Sequence, residues 1–415
     1  MRKIVISNEF KITCLIWLIT FCIQTTDLKI GFVKISEFFL LLITPLLFFK
    51  KVNKYFIYFF LFFTFEMLLA LVITYNQEFE HLGRSIIKAP YIISFGRYIE
   101  LIACLTLGCI SYRLFQQNPN QSQKIITRLV NINIYITGGV VILYFMVVLG
   151  VIPIDKSIVV YSDYRLKGLY VEGGPYGLML MFLFMLSSFL EKSETRFFKQ
   201  LFLVVVIVFF AKSKAGFLCF LVWIFIQNMA YLKSKLKSFL YPALVLALIG
   251  FYFTFVKISY MYVDKMDKIR KEVHLRSNDT NLIMGRFSGF YIVPNMIKEN
   301  PVLGIGLGNY PLVRNNKIYR GFFPLPDKEV RDADASGFGG IVDIIIDMGI
   351  VGFLIFMYLN SLLLKELLVK NKGVVLLLGF LTLFLFGVQL YFSYPWAFFG
   401  IILAYRNNYI DEISN

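Results

Sequence analysis

Imidazole is nearly absent from this chain. Its 415 residues include two histidines, His81 and His274, too few for a histidine-built metal site. Thiols are sparse as well: Cys14, Cys22, Cys104, Cys109 and Cys219 lie in or beside apolar runs with no C-x-x-C pair, so small buried apolar side chains are their expected role. Only an Asp/Glu site is left open to a metal, and neither metal nor cofactor is expected. Charge is scarce too, at 16% of residues against about 25% in soluble domains. Internal repeats and low-complexity tracts are missing. The basic N-terminal stretch "MRKIVISNEFKITCLIWLITFCI" has no small-residue cleavage site behind it, so it reads as a first membrane span.

What fills the chain is apolar: 58% hydrophobic and 18% aromatic residues, with a mean hydropathy of +0.70. The apolar residues fall into runs near 10–26, 31–49, 55–75, 90–112, 127–150, 169–190, 198–211, 215–232, 238–256, 338–364, 373–387 and 389–405. A span needs about 20 such residues. The expected fold is therefore an all-α polytopic membrane protein with about twelve transmembrane helices. Three runs are short, and eleven or thirteen spans remain compatible. With the N-terminus inside, the connections 50–54, 113–128, 191–199, 233–237 and 365–372 each carry about three basic residues, as the positive-inside rule requires. The net charge of +16 is then mainly a topology signal, and nucleic acid is not an expected partner. This predicts a multi-pass protein of a bacterial cytoplasmic (inner) membrane with both termini cytoplasmic.

One integrated domain is expected, in three parts: helices one to nine over 1–256, a large extracytoplasmic loop over 257–337, and the last three helices with a cytoplasmic tail over 338–415. Connections longer than about 12–15 residues are usually functional or disordered. The aromatic and aliphatic content of "RFSGFYIVPNMIKENPVLGIGLGNY" argues for a structured loop. Its Gly304, Gly306 and Gly308 are not spaced as a dinucleotide fingerprint, and no G-K-[ST] follows. They suit a turn in which backbones approach closely or adopt positive φ. Basic residues on the outer side break the topology rule: Arg165 and Lys167 in "YRLKGLYVEGGPYGLML", Lys212 and Lys214 in "FFAKSKAGFL", and Arg286 in "MGRFSGF". Such cations want an anionic partner.

These motifs resemble the bacterial O-antigen polymerase and O-antigen ligase superfamily. "RLKGLYVEGGPYG" is similar to its Arg-x-x-Gly…Glu-Pro…Gly opening of a central span, and "SKAG" to its Ser-Arg-Gly/Ala turn. "GRF…NPVLGIGLGNY" resembles its signature at the large periplasmic loop, and "DIIIDMGIVGFLIF" (Asp343–Phe356) its acidic-x-Gly-x-x-Gly helix start. The resemblance implies a GT-C-like, metal-independent glycosyl transfer. A glycan on undecaprenyl pyrophosphate would pass to the hydroxyl of another lipid-linked unit (polymerase) or of lipid A core (ligase), for O-antigen, capsule or exopolysaccharide. Arg286 and Arg165 would clamp the pyrophosphate, assisted by Lys214 and Lys212; the lysine at 214 departs from the family arginine. Gly304, Gly306 and Gly308 would shape the substrate site, and Tyr176, with Tyr161, Tyr164 and Tyr170, would stack on sugars. Asp332, Asp334, Asp343, Asp347 and Glu172 are acid or base candidates, Glu172 and Asp343 foremost. Ligase relatives carry a histidine at the place corresponding to about Phe338; its absence favours a polymerase over a ligase, while the lack of two similar halves and the long external loop argue against a transporter or flippase. Implied partners are the lipid-linked oligosaccharide, membrane lipids, a flippase and a chain-length regulator.

Overall fold

In lipid every backbone polar group must be satisfied within the protein, which leaves the α-helix as the natural form for such apolar runs. The computed structural model describes residues 7–411, apart from 31–32, 49–51, 80, 84, 191–193, 236–266, 274, 276–285, 333–336 and 368–370. Among the described residues, twelve helices have twelve or more residues: α1 (Asn8–Gln24), α2 (Ile35–Phe48), α3 (Lys54–Gln77), α4 (Pro90–Gln116), α5 (Ser122–Val148), α6 (Gly173–Ser187), α7 (Glu194–Val205), α8 (Lys214–Lys235), α9 (Arg286–Glu299), α10 (Gly340–Leu367), α11 (Asn371–Leu385) and α12 (Ser393–Asp411). Helix starts follow local chemistry. Ser7 and Asn53 cap α1 and α3 through their side chains, and Pro90 opens α4, where its missing N–H costs nothing.

Eleven of these helices fall on expected runs; α9 belongs to the expected loop, and the run 238–256 lies outside the described residues. Four described stretches are long and apolar enough to cross a membrane: α3, α4, α5 with the turn before it, and α10. The apolar parts of α2, α6, α8, α11 and α12 are shorter. A 15-residue helix rises only about 22 Å, less than the roughly 30 Å hydrocarbon core. α6 is apolar on every side and buried from Tyr176 to Ser187, as expected for a helix enclosed by others. α5, α7, α8, α11 and α12 pack around it. α4 and α12 meet backbone to backbone, because a Cβ at Gly108 would lie 2.9 Å from Trp396 O and one at Gly400 would lie 3.0 Å from Tyr112 N.

Successive helices run up and down, and side-chain ties mark the two ends. At one end Asn8 bonds Asn118, Gln123 bonds the Phe189 carbonyl, and Lys54 pairs with Glu366 at 3.0 Å. At the other end the Tyr170 hydroxyl donates to Ile23 O, Thr26 and Ser393 share a 2.8 Å bond, and Val171 N donates to Asp27. The described part of the expected loop sits at this second end. It has an apolar core of its own, in which Ile292, Met296, Ile305, Tyr310, Val313 and Tyr319 pack with Ile346 of α10.

Candidate functional site

The second end carries two polar neighbourhoods. The first forms where α6 begins. Val160–Tyr161 and Arg165–Leu166 pair as a short antiparallel hairpin. α7 continues into a π-helical turn over Val206–Phe210, and Lys212 then takes a left-handed φ of 47°. Both features recur at functional sites because neither is the lowest-energy path of the chain. The turn brings Ala211 O to within 3.3 Å of Arg165 Nε. Ser213 Oγ donates to Gly174 O at 3.1 Å, a closeness possible because Gly177 has no side chain to meet Ser213.

Arg165 is half-buried and its guanidinium lies 6.0 Å above the Tyr161 ring. The Tyr161 hydroxyl donates to Glu172 Oε1 at 3.4 Å. Burial first, then the Glu172 carboxylate, raises the Tyr161 phenol above its ordinary value. Glu172 stands at the N-cap of α6 without capping it through its side chain, and it is exposed, as are Lys212 and Lys214. Arg165, Glu172, Lys212 and Lys214 therefore share one surface. Tyr176 stands behind that surface, fully buried and packed on Tyr170 at 5.7 Å.

The second neighbourhood is built on a broken helix. α10 loses helical geometry at Gly349 (φ 64°, ψ −168°), which strands carbonyls before the break and N–H groups after it. The glycine segment supplies their partners. Ile305 N donates to Ile346 O at 2.9 Å and Gly306 N to Asp347 O at 2.8 Å; Ile350 N and Val351 N donate to Pro301 O and Val302 O at 3.0 and 3.2 Å. A Cβ on Gly304 would stand 2.5 Å from Gly349 N, and one on Gly308 would stand 2.5 Å from Arg97 Cγ, so the backbones must approach bare. The three glycine N–H groups donate to Asn300 O, Asp347 O and Asp347 Oδ2. Their geometry closes the helix break.

Around this splice lies a buried charged network that the sequence reading passed over. Arg97 donates to both oxygens of Glu100 at 2.9 and 3.0 Å. Lys34 pairs with Glu100 at 3.2 Å and with Glu37 at 2.8 Å, and donates to Tyr391 O. The Arg97 guanidinium lies 5.3 Å from the Tyr391 ring, whose hydroxyl donates to Asp347 Oδ2 at 3.1 Å. Asp343 accepts from Phe338 N and Gly339 N at 2.7 and 2.8 Å, as a carboxylate does when it reaches back over a helix start. One signal was available in advance: Arg97 and Glu100 are opposite charges three residues apart inside an expected span, and intramembrane ionisable residues are functional candidates by default.

Arg286 begins α9, and its side chain lies outside the described residues; Asp334 lies outside them entirely. The first turn of α9 does reach the start of α10, since a Cβ at Gly289 would meet the Phe338 ring. Position 338, where a ligase histidine was sought, thus faces the helix that Arg286 opens. Asp332 approaches Gly83 and offers its carbonyl to Lys88 at 2.6 Å, away from either neighbourhood.

Residues 200–357 match the family model described as O-antigen ligase. That stretch includes the Lys212–Lys214 turn, α9, the glycine segment and the break in α10, but not Arg97, Arg165 or Glu172. No curated protein matches the chain.

Proposed function

We propose that this chain, a member of the O-antigen polymerase and O-antigen ligase superfamily, polymerises undecaprenyl-pyrophosphate-linked oligosaccharide units at the outer face of a bacterial cytoplasmic membrane. The observation that supports the reading is the surface at the start of α6, where Arg165 is bonded to the turn that carries the exposed Lys212 and Lys214, on the same face as the exposed Glu172. Transfer requires an acceptor hydroxyl oxygen to attack the anomeric carbon while the bond from that carbon to the pyrophosphate oxygen breaks. The leaving pyrophosphate keeps the electron pair, so fixed cations must meet growing negative charge. Arg165 and Arg286 suit this as planar, permanently charged donors, with Lys212 and Lys214 as further counter-charges. The hydroxyl proton goes to Glu172, which Tyr161 orients. Asp343 is the less available base, because both its oxygens already accept backbone N–H groups.

A ligase is the second reading, favoured by the matched family's own description. The phenylalanine at 338 supports the polymerase. Incubating the purified protein with a defined undecaprenyl-pyrophosphate oligosaccharide, with and without added lipid A core, separates them: a polymerase makes a ladder from the lipid-linked units alone, a ligase a single transfer to the lipid A core. Arg165→Ala, Arg286→Ala and Glu172→Gln are each expected to abolish the ladder while membrane insertion persists. Ladders of normal length from these variants would sink the proposed roles.

A further inference from the structure

The end of the bundle away from both neighbourhoods holds a cleft of about 510 Å³, lined by Gln123, Lys124, Thr127 and Arg128 of α5 and by Thr195, Arg196 and Lys199 of α7, with Leu190 between them. Four of these side chains are cationic and none is a carboxylate. The positive-inside rule accounts for basic residues near this end, but it does not ask them to converge on one concavity. The walls are fastened in advance: Gln123 Nε2 donates to Phe189 O at 3.1 Å and Arg196 Nη1 to Leu190 O at 3.0 Å, which ties α5 and α7 to the end of α6. Among the described residues no carboxylate pairs with Lys124, Arg128 or Lys199. Like charges held together with no paired carboxylate among the described residues call for an anion, and the ammonium and guanidinium donors of Lys124, Lys199 and Arg128 suit phosphate oxygens.

We propose that this cleft binds a phosphate-bearing anion on the face opposite the glycosyl-transfer surface. Basic clefts between membrane helices take phospholipid head groups, at about 1 kcal/mol per basic residue, or about fivefold in affinity. A free phosphate compound offers the same chemistry.

The test uses the full chain in detergent, titrated with tetraoleoyl cardiolipin or with inorganic pyrophosphate and read by native mass spectrometry. Replacing Lys124, Arg128 and Lys199 together by Gln should weaken binding about 100-fold, at about fivefold per charge. The charge-keeping set Lys124→Arg, Arg128→Lys and Lys199→Arg should preserve it. Arg196 is left in place because it holds the cleft wall. Should the triple Gln protein fail to fold, Lys199→Gln alone should still cost about fivefold. Saturable cardiolipin retention lost in the Gln protein supports a lipid head group; pyrophosphate binding alone, lost in the same way, supports a soluble anion. Equal binding of both probes by the wild-type and Gln proteins, or binding of neither probe by the wild type, overturns the proposal.

Discussion

Arg97 touches three parts of the protein at once: the Glu100 carboxylate on its own helix, the Tyr391 ring before α12, and the bare backbone at Gly308. Only 4% of it is exposed, so its charge has to be answered inside the protein, and Glu100 does so with both oxygens. Removing one partner of a buried pair costs about 3–5 kcal/mol, because the other charge stays desolvated. Arg97→Ala should therefore lower the thermal midpoint of the detergent-solubilised protein sharply, with Arg97→Lys intermediate because it loses the two-pronged contact. Glu172→Gln should leave that midpoint nearly unchanged, since Glu172 is exposed. The difference shows why the two residues were unequally legible. Glu172 announces itself beside Gly173, Gly174 and Pro175, whereas Arg97 and Glu100 are single charges diluted in a long apolar run. Their meaning depends on Lys34 and Tyr391, which are remote in sequence.

At the scale of elements, apolar runs translate directly into helices because lipid allows the backbone so few alternatives. The break in α10 was hidden for the opposite reason. Gly349 and Gly352 looked like part of a helix start, and Gly304–Gly308 like a turn; only their pairing makes a ladder from two irregular pieces. The expected close approach of the glycines was right, but their acceptor turned out to be a helix interior. Gly349 has φ 64° and ψ −168°, a region nearly reserved for glycine, where a side chain costs on the order of 1–3 kcal/mol. A Cβ there would also press on Val302 O. Gly349→Ala and Gly304→Val should each reduce the yield of monodisperse protein, whereas Gly138→Ala, where a Cβ meets nothing within 4 Å, should not.

For the whole molecule, the up-and-down order of helices sorts the polar chemistry into two ends. Lys156 lies in the exposed connection after α5, at the end of the glycine segment, and exposed Gln117 lies at the opposite end, after α4. In a background with Cys14→Ser, the one exposed native thiol removed, Lys156→Cys should react with a membrane-impermeant maleimide in intact cells. Gln117→Cys should react only after lysis. The reverse pattern would turn the assigned orientation over and put the basic cleft outside. Helix order and this alternation were readable from the spacing of apolar runs and basic connections. The lengths were not, because helices such as α6 are shielded by neighbours and need not match the bilayer on their own.

The ladder between the glycine segment and α10 also changes what the peptide chain itself is needed for. Four backbone hydrogen bonds join residues 301–306 to residues 346–351, and α12 lies against α4 at Gly108 and Gly400. The exposed stretch around Leu325 and Asp327 is thus a strap across a joint already fastened on both sides. A nick there would leave two fragments that hold each other in register, so covalent continuity at that point is a convenience of synthesis more than a condition of the fold.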